Sequence, residues 1–196
     1  MVKKNSVFKK KSFIITAVIV AVVIIIGGWF IGTYNSMVRA NEAVDGKWSQ
    51  VETDLQRRAD LIPNLVNTVK GYASHENEIF QQVSDARARL MGASTPQATL
   101  EANDALTTGL GRLLAIVENY PNLKANTNFI QLQDELAGTE NRIAVSRKDY
   151  NNQVRNFNQG IKTFPRNLLA GMFGFAERTY FEAESGKKDT PVVDFN

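Results

Sequence analysis

Two patterns of hydrophobic positions divide the chain. Phe13 to Gly32 reads FIITAVIVAVVIIIGGWFIG, twenty residues without a charge. At ~1.5 Å per residue a helix of that length matches the ~30 Å hydrocarbon core of a bilayer. From Tyr34 onward no stretch alternates with period two. Apolar residues recur instead at steps of three and four, the signature of helices with one buried stripe. The expected fold is all-α: a transmembrane helix followed by an elongated antiparallel up-and-down four-helix bundle.

The spacing predicts four body helices. The first covers about Tyr34 to Ala59, with Met37, Val44, Trp48, Val51 and Leu55 on one face. Asp60 before Leu61-Ile62-Pro63 reads as a kink or restart, because Asp caps helices well and proline is tolerated in a first turn. The second then carries Ile62, Leu65, Val69, Tyr72, Ile79, Val83 and Leu90, and ends near Gly92 to Pro96. The third, Gln97 to about Glu118, presents Leu106, Leu110, Leu113, Leu114 and Val117, and stops at Tyr120-Pro121 because a residue before proline is pushed out of the helical region. The fourth runs from about Asn122 to Thr163 with Phe129, Leu132, Leu136, Ile143, Tyr150, Val154, Phe157 and Ile161, and Phe164-Pro165 ends it. Short connections make neighbours antiparallel. The expected divisions are a basic tip (1–12), the span (13–32), the bundle (33–165) and a C-terminal segment (166–196). That last segment holds an apolar patch, Leu168, Leu169, Met172, Phe173 and Phe175, expected to pack back on the bundle rather than lie in the membrane interface. Little order is expected after Ser185-Gly186-Lys187-Lys188.

Charge fixes the expected orientation. Lys3, Lys4, Lys9, Lys10 and Lys11 precede the span, and only Arg39 and Lys47 occur in the fifteen residues after it. The positive-inside rule places the N-terminus in the cytoplasm and the body outside a bacterial inner membrane, the alternative being a cytoplasmic body. The apolar run exceeds the core of a cleavable signal, and Val38-Arg39-Ala40 is a poor cleavage site, so the anchor is read as retained. Beyond the tip, 18 Lys/Arg are outnumbered by 20 Asp/Glu, which leaves no basic excess for nucleic acid.

Candidate chemistry is sparse. With no Cys and one His, thiol catalysis, disulfides, acyl-anchored lipoproteins and Cys/His zinc sites are excluded. His75-Glu76 lacks the second His of a zincin helix or of a di-iron bundle, so His75 is assigned a capping or surface role. Gly109-Leu110-Gly111 lacks the third glycine and preceding strand of a dinucleotide fingerprint, and reads as glycines permitting close helix packing. No cofactor or metal is expected. Glu76, Arg58, Glu140 and Arg147 interrupt or flank apolar stripes and are read as internal polar pairing that sets helix register. A polar groove for a peptide or carboxylate ligand is the functional alternative, and acid/base catalysis by the seam carboxylates a further one. Arg57-Arg58 with Asp60 reads as a solvated pair.

DLIPNLVNTVKGYASHE (Asp60 to Glu76), ENYPNLKANTNFIQLQDEL (Glu118 to Leu136), TENRIAVSRKDYNNQVRNFNQGIKTFP (Thr139 to Pro165) and GFAERTYFE (Gly174 to Glu182) follow one another in order. With the anchor, Tyr34-Asn35 and Trp48, they make a chain that resembles the LemA family of single-pass bacterial membrane proteins over nearly its whole length. Ser146-Arg147 and Phe157-Asn158 stand where that family usually has Ala-Arg and Tyr-Asn, both small changes. The resemblance implies an anchored helical bundle and no particular reaction. Some relatives are tied to membrane organisation, as in magnetosome formation, or to an HtpX-like membrane metalloprotease, which implies a protein partner.

Strict alternation of four helices brings Asp60 to Asn64 and Glu118 to Lys124 to one membrane-distal tip, so Asp60, Asn64, Glu118, Tyr120 and Lys124 form the expected partner surface. The expected function is a non-enzymatic scaffold or adaptor for envelope proteins, in contact with the lipid bilayer and able to oligomerise. The alternative is an extracytoplasmic ligand-sensing bundle that signals through a partner.

Overall fold

The structure, a computed structural model, describes residues 4–181, with side chains from residue 13 onward. Lys3, the side chains of the other tip lysines and the polar tail from Ser185 lie outside what is described. Among the described residues all regular structure is helical: α1 (Lys4–Lys70), α2 (Asn77–Gly92), α3 (Pro96–Val117), α4 (Pro121–Lys124), α5 (Thr127–Lys162) and α6 (Arg166–Phe173). These residues form two compact units, 4–43 with 157–177 and 44–156 with 178–181.

The larger unit is the four-helix body. Its core takes Val44, Val51, Leu55, Ile62, Leu65 and Val69 from α1, and Ile79, Val83 and Leu90 from α2. Leu106, Leu110, Leu113 and Val117 come from α3, and Phe129, Ile143, Tyr150 and Val154 from α5. These are the stripes the sequence spacing predicts, except that Tyr72 is exposed and Trp48, Leu114, Leu132 and Leu136 are half-buried. The pairs Lys47–Asp149 and Arg58–Glu140 show α1 and α5 running antiparallel, and Gln82–Arg112 with Val83–Gly109 show the same for α2 and α3. Thr95 caps α3 by accepting from the Ala98 N–H at 3.2 Å, with Pro96 in the first turn.

The restart expected at Asp60 does not occur, because α1 runs unbroken through Pro63. Proline has no N–H to give the carbonyl four residues back, so the Ala59 C=O loses its helical donor. Arg87 of α2 replaces that donor: its Nε donates to Ala59 O at 2.7 Å, with its guanidinium 3.9 Å from Asp60. A side chain from another helix thus satisfies the acceptor that proline leaves orphaned. The first turn of the body therefore falls at 71–76 instead, and the second helix begins at Asn77.

The glycine reading is half right. A Cβ on Gly109 would sit 3.3 Å from Val83 Cγ2, so this glycine does permit close approach of α3 to α2, whereas at Gly111 it would meet nothing within 4 Å.

In the smaller unit, α1 is exposed at every position from 13 to 29; beyond that one side is covered, with Phe30 half-buried and Thr33 and Met37 buried, while Ile31, Gly32 and Asn35 stay exposed. The C-terminal apolar patch divides. Leu169 and Ala170 are buried and Phe175 packs against Phe157 and Tyr34, while Leu168, Met172 and Phe173 stay exposed.

Candidate functional site

The most unusual side chain of the body is Arg58. It projects from α1 between α3 and α5 and is only 5% exposed. Its Nη1 donates to Asn103 Oδ1 at 2.7 Å and lies 3.0 Å from Glu140 Oε2. Glu140 is half in solvent, so one end of the pair is buried and the other wet. Burial pushes the Arg58 guanidinium below its ordinary value, and the charges of Glu140 and then Asp104 act against that shift. Its Nε is buried without a hydrogen-bond partner among the described residues. An unmatched buried donor of this kind is costly to the fold.

Arg58 and Glu140 form one wall of a cleft of about 400 Å³ between α1, α3 and α5. The remaining lining is mainly apolar: Leu110, Leu114, Leu136 and Ala137, with Gly111 leaving open space where a side chain would stand. An apolar wall with a few convergent polar groups is the usual make-up of a binding cleft. Among the described residues no group of three His, Asp or Glu is placed to hold a metal ion.

Of the four residues expected to pair internally, Arg58 and Glu140 meet. Arg147 does not reach a carboxylate in any ion pair seen here; its guanidinium lies 4.7 Å over the Phe181 ring. Glu76 is not on a continuous stripe, because the helix breaks at 71–76 and Glu76 becomes the half-buried residue preceding α2, making no side-chain cap bond. His75 is exposed in the same turn. The reading of Arg57-Arg58 as a solvated pair is corrected for Arg58, which is buried; Arg57 is exposed.

The expected partner surface is not brought together as one patch. Asp60 and Asn64 lie inside α1, ten and six residues before its end, which at ~1.5 Å per residue is roughly 15 and 9 Å back from the turn. Tyr72 takes their place, its hydroxyl accepting from Asn126 Nδ2 at 2.9 Å, beside the turn where Lys124 pairs with Glu118. Tyr120 is half-buried in that turn.

Sequence reasoning missed an aromatic clasp. Asn151 donates to Phe181 O at 2.9 Å and accepts from Phe181 N at 2.8 Å, as a neighbouring strand would. Tyr150 donates to Thr179 O at 2.8 Å, and burial pushes its phenol up. The Trp48 ring packs tilted against Tyr150, with centroids 5.3 Å apart, and against Phe181 at 5.6 Å. The signal was present in KDYNN and RTYFE, but only the fold shows that these stretches are partners.

The family profile described as LemA family matches residues 47–195, which takes in every element of the cleft and the clasp. The chain belongs to the LemA family. Its relatives include the magnetosome protein MamQ 2 of Paramagnetospirillum magneticum, 31% identical over 82% of this chain and 68% of that protein. The magnetosome protein MamQ of Magnetospirillum gryphiswaldense is 30% identical over the same shares. Protein LemA of Metamycoplasma hominis is 24% identical over 79% of this chain and 71% of that protein. With one helix among the described residues long and apolar enough to cross a membrane, this LemA-family chain is a membrane-associated helical protein.

Proposed function

We propose that this protein is a non-catalytic adaptor, anchored in the bacterial inner membrane by residues 13–32, which holds an apolar segment of an envelope protein in the cleft between α1, α3 and α5. The observation that carries the reading is an apolar cleft wall beside the Arg58–Glu140 pair, where the Arg58 Nε is buried without a hydrogen-bond partner among the described residues. Leu110, Leu114 and Leu136 supply non-directional affinity for apolar side chains. The Arg58 guanidinium supplies a charge-assisted donor to a carbonyl or carboxylate of the bound segment, which sets its orientation. The lysine-rich tip argues for a cytoplasmic N-terminus and a body on the outer face. The turn holding Glu118, Tyr120 and Lys124 is the second surface offered to the partner.

The test is in-cell crosslinking from a photoreactive residue at Leu114, with a control at the exposed Arg89 of α2. The expected result is one envelope protein, crosslinked through a single apolar segment, whose synthetic peptide binds the purified protein and loses binding in Gly111→Trp. Capture that is equal from both positions, or peptide binding indifferent to Gly111→Trp, overturns the assignment. A small molecule recovered from the cleft would instead favour the ligand-sensing reading.

A further inference from the structure

The apolar run of α1 ends at Gly32, and burial of α1 begins at the same level: every residue from 13 to 29 is exposed, Phe30 is half-buried, and Thr33 and Met37 are buried. Protein cover on one side of α1 thus starts where the hydrocarbon-matched length stops, while Ile31 and Gly32 on the other side stay exposed. Helix α6 is docked at this level. Phe173, its last residue, has its ring centroid 5.6 Å from that of Phe30 and 4.7 Å from that of Tyr34. Trp29, whose ring type favours the headgroup region, lies one residue away.

Helix α6 is short and two-faced. Leu169 and Ala170 turn inward and are buried. Leu168 and Met172, one helical turn apart, point outward and are 62% and 69% exposed, and Phe164 before the helix is 76% exposed. Residues four apart share one side of a helix, so Leu168 and Met172 form one outward apolar stripe, and Phe164 adds an exposed ring in the turn before it. The exposed Arg166 flanks it, a usual companion of a helix lying at a lipid surface, while Lys162 pairs with Glu177 at 2.7 Å.

We propose that α6 lies in the headgroup–acyl boundary of the membrane that α1 crosses, with Leu168, Met172 and Phe164 inserted among the upper acyl carbons. The inference rests on α1 spanning that membrane. Its occupant is lipid because the stripe stands beside the end of the span, held there by the contacts of Phe173 with Phe30 and Tyr34. Arg166 then sits at headgroup level, where anionic phosphates attract it. The foot gives the anchor a second membrane contact and fixes its roll about its own axis.

The chain has no cysteine, so single cysteines can carry a nitroxide without removing any native residue of that type. The full chain would be reconstituted in vesicles of phosphatidylcholine and phosphatidylglycerol with a label at Leu168→Cys or Met172→Cys. Ile24→Cys serves as the mid-span reference and the exposed Asn152→Cys as the aqueous one. Collision rates with oxygen and with a water-soluble nickel chelate are read by power saturation. The expected result is an oxygen-to-nickel ratio at 168 and 172 several-fold above that at 152 and below that at 24. A ratio at 168 and 172 equal to that at 152, with 24 deep, overturns the lipid foot alone. Nickel access at 24 overturns the spanning reading beneath it. Labels at 168 and 172 that are immobilised and shielded from both reagents overturn lipid in favour of a second copy of the chain.

Discussion

One helix is built for two solvents. Between 13 and 29 every position of α1 is exposed and the apolar residues cover the whole circumference; between 44 and 69 Val44, Val51, Leu55, Ile62, Leu65 and Val69 keep to one side and are buried. Backbone geometry is the same in both stretches. An all-round apolar helix suits lipid, where no face is better hidden than another, while a stripe suits water on one side and protein on the other. Stability in the second stretch therefore comes from packing, and in the first from the surrounding medium.

The contrast can be broken most sharply by truncation. Leu113, fully buried in the body, should lose about 2–5 kcal/mol of unfolding free energy as Leu113→Ala. Ile24→Ala, in the exposed run, should leave the body's thermal unfolding by circular dichroism in detergent unchanged. Equal shifts for the two would end the distinction.

Polar burial comes next. Glu140→Ala leaves the Arg58 guanidinium buried without its countercharge, and because Glu140 is half in solvent the expected loss is about 2 kcal/mol rather than the full cost of a buried pair. Adding Arg58→Met, which removes the orphaned charge, should recover most of it. Denaturant midpoints of the two single variants and the double variant decide this.

The proline bridge should be worth slightly less. Arg87→Ala strips the Ala59 carbonyl of its donor and is expected to cost about 1–2 kcal/mol. Pro63→Ala returns a backbone N–H to that carbonyl, so it should restore more stability in the Arg87→Ala background than in the native one. A double-mutant cycle with no coupling would refute the bridge.

The smallest effect is at the clasp. Tyr150→Phe deletes the bond to Thr179 O and should cost about 1 kcal/mol. Since burial raises this phenol above its ordinary value of about 10, its stabilising share is full below that pH and is lost as pH rises through the higher folded value. An alkaline titration of stability should accordingly fall less steeply in Tyr150→Phe than in the native protein.

Much of the fold was legible because period and punctuation are local properties. The break at Pro96 and the stop before Pro121 stand where the residues place them, whereas the single helix expected from Asn122 to Thr163 is divided at Ala125-Asn126 into α4 and α5. The reading failed at Asp60, where a capping residue followed by proline has the local form of a helix start. The cancelling interaction, Arg87 on Ala59 O, comes from 28 residues away and leaves no local trace. Moving that break displaced Glu76 from its stripe and Asp60 and Asn64 from the tip.

The sequence by itself determined the all-helical class, the lipid-matched run and the core-facing residues, since each follows from the periodicity of side chains along one helix. The tertiary structure alone decided which polar groups meet. It set Arg58 against Asn103 and Glu140, left its Nε unmatched, opened the cleft beside Gly111 and joined Asn151 to Phe181. Such meetings depend on the rotation and axial offset of whole helices, which are set by the sum of many packing contacts and by no residue pattern within one of them.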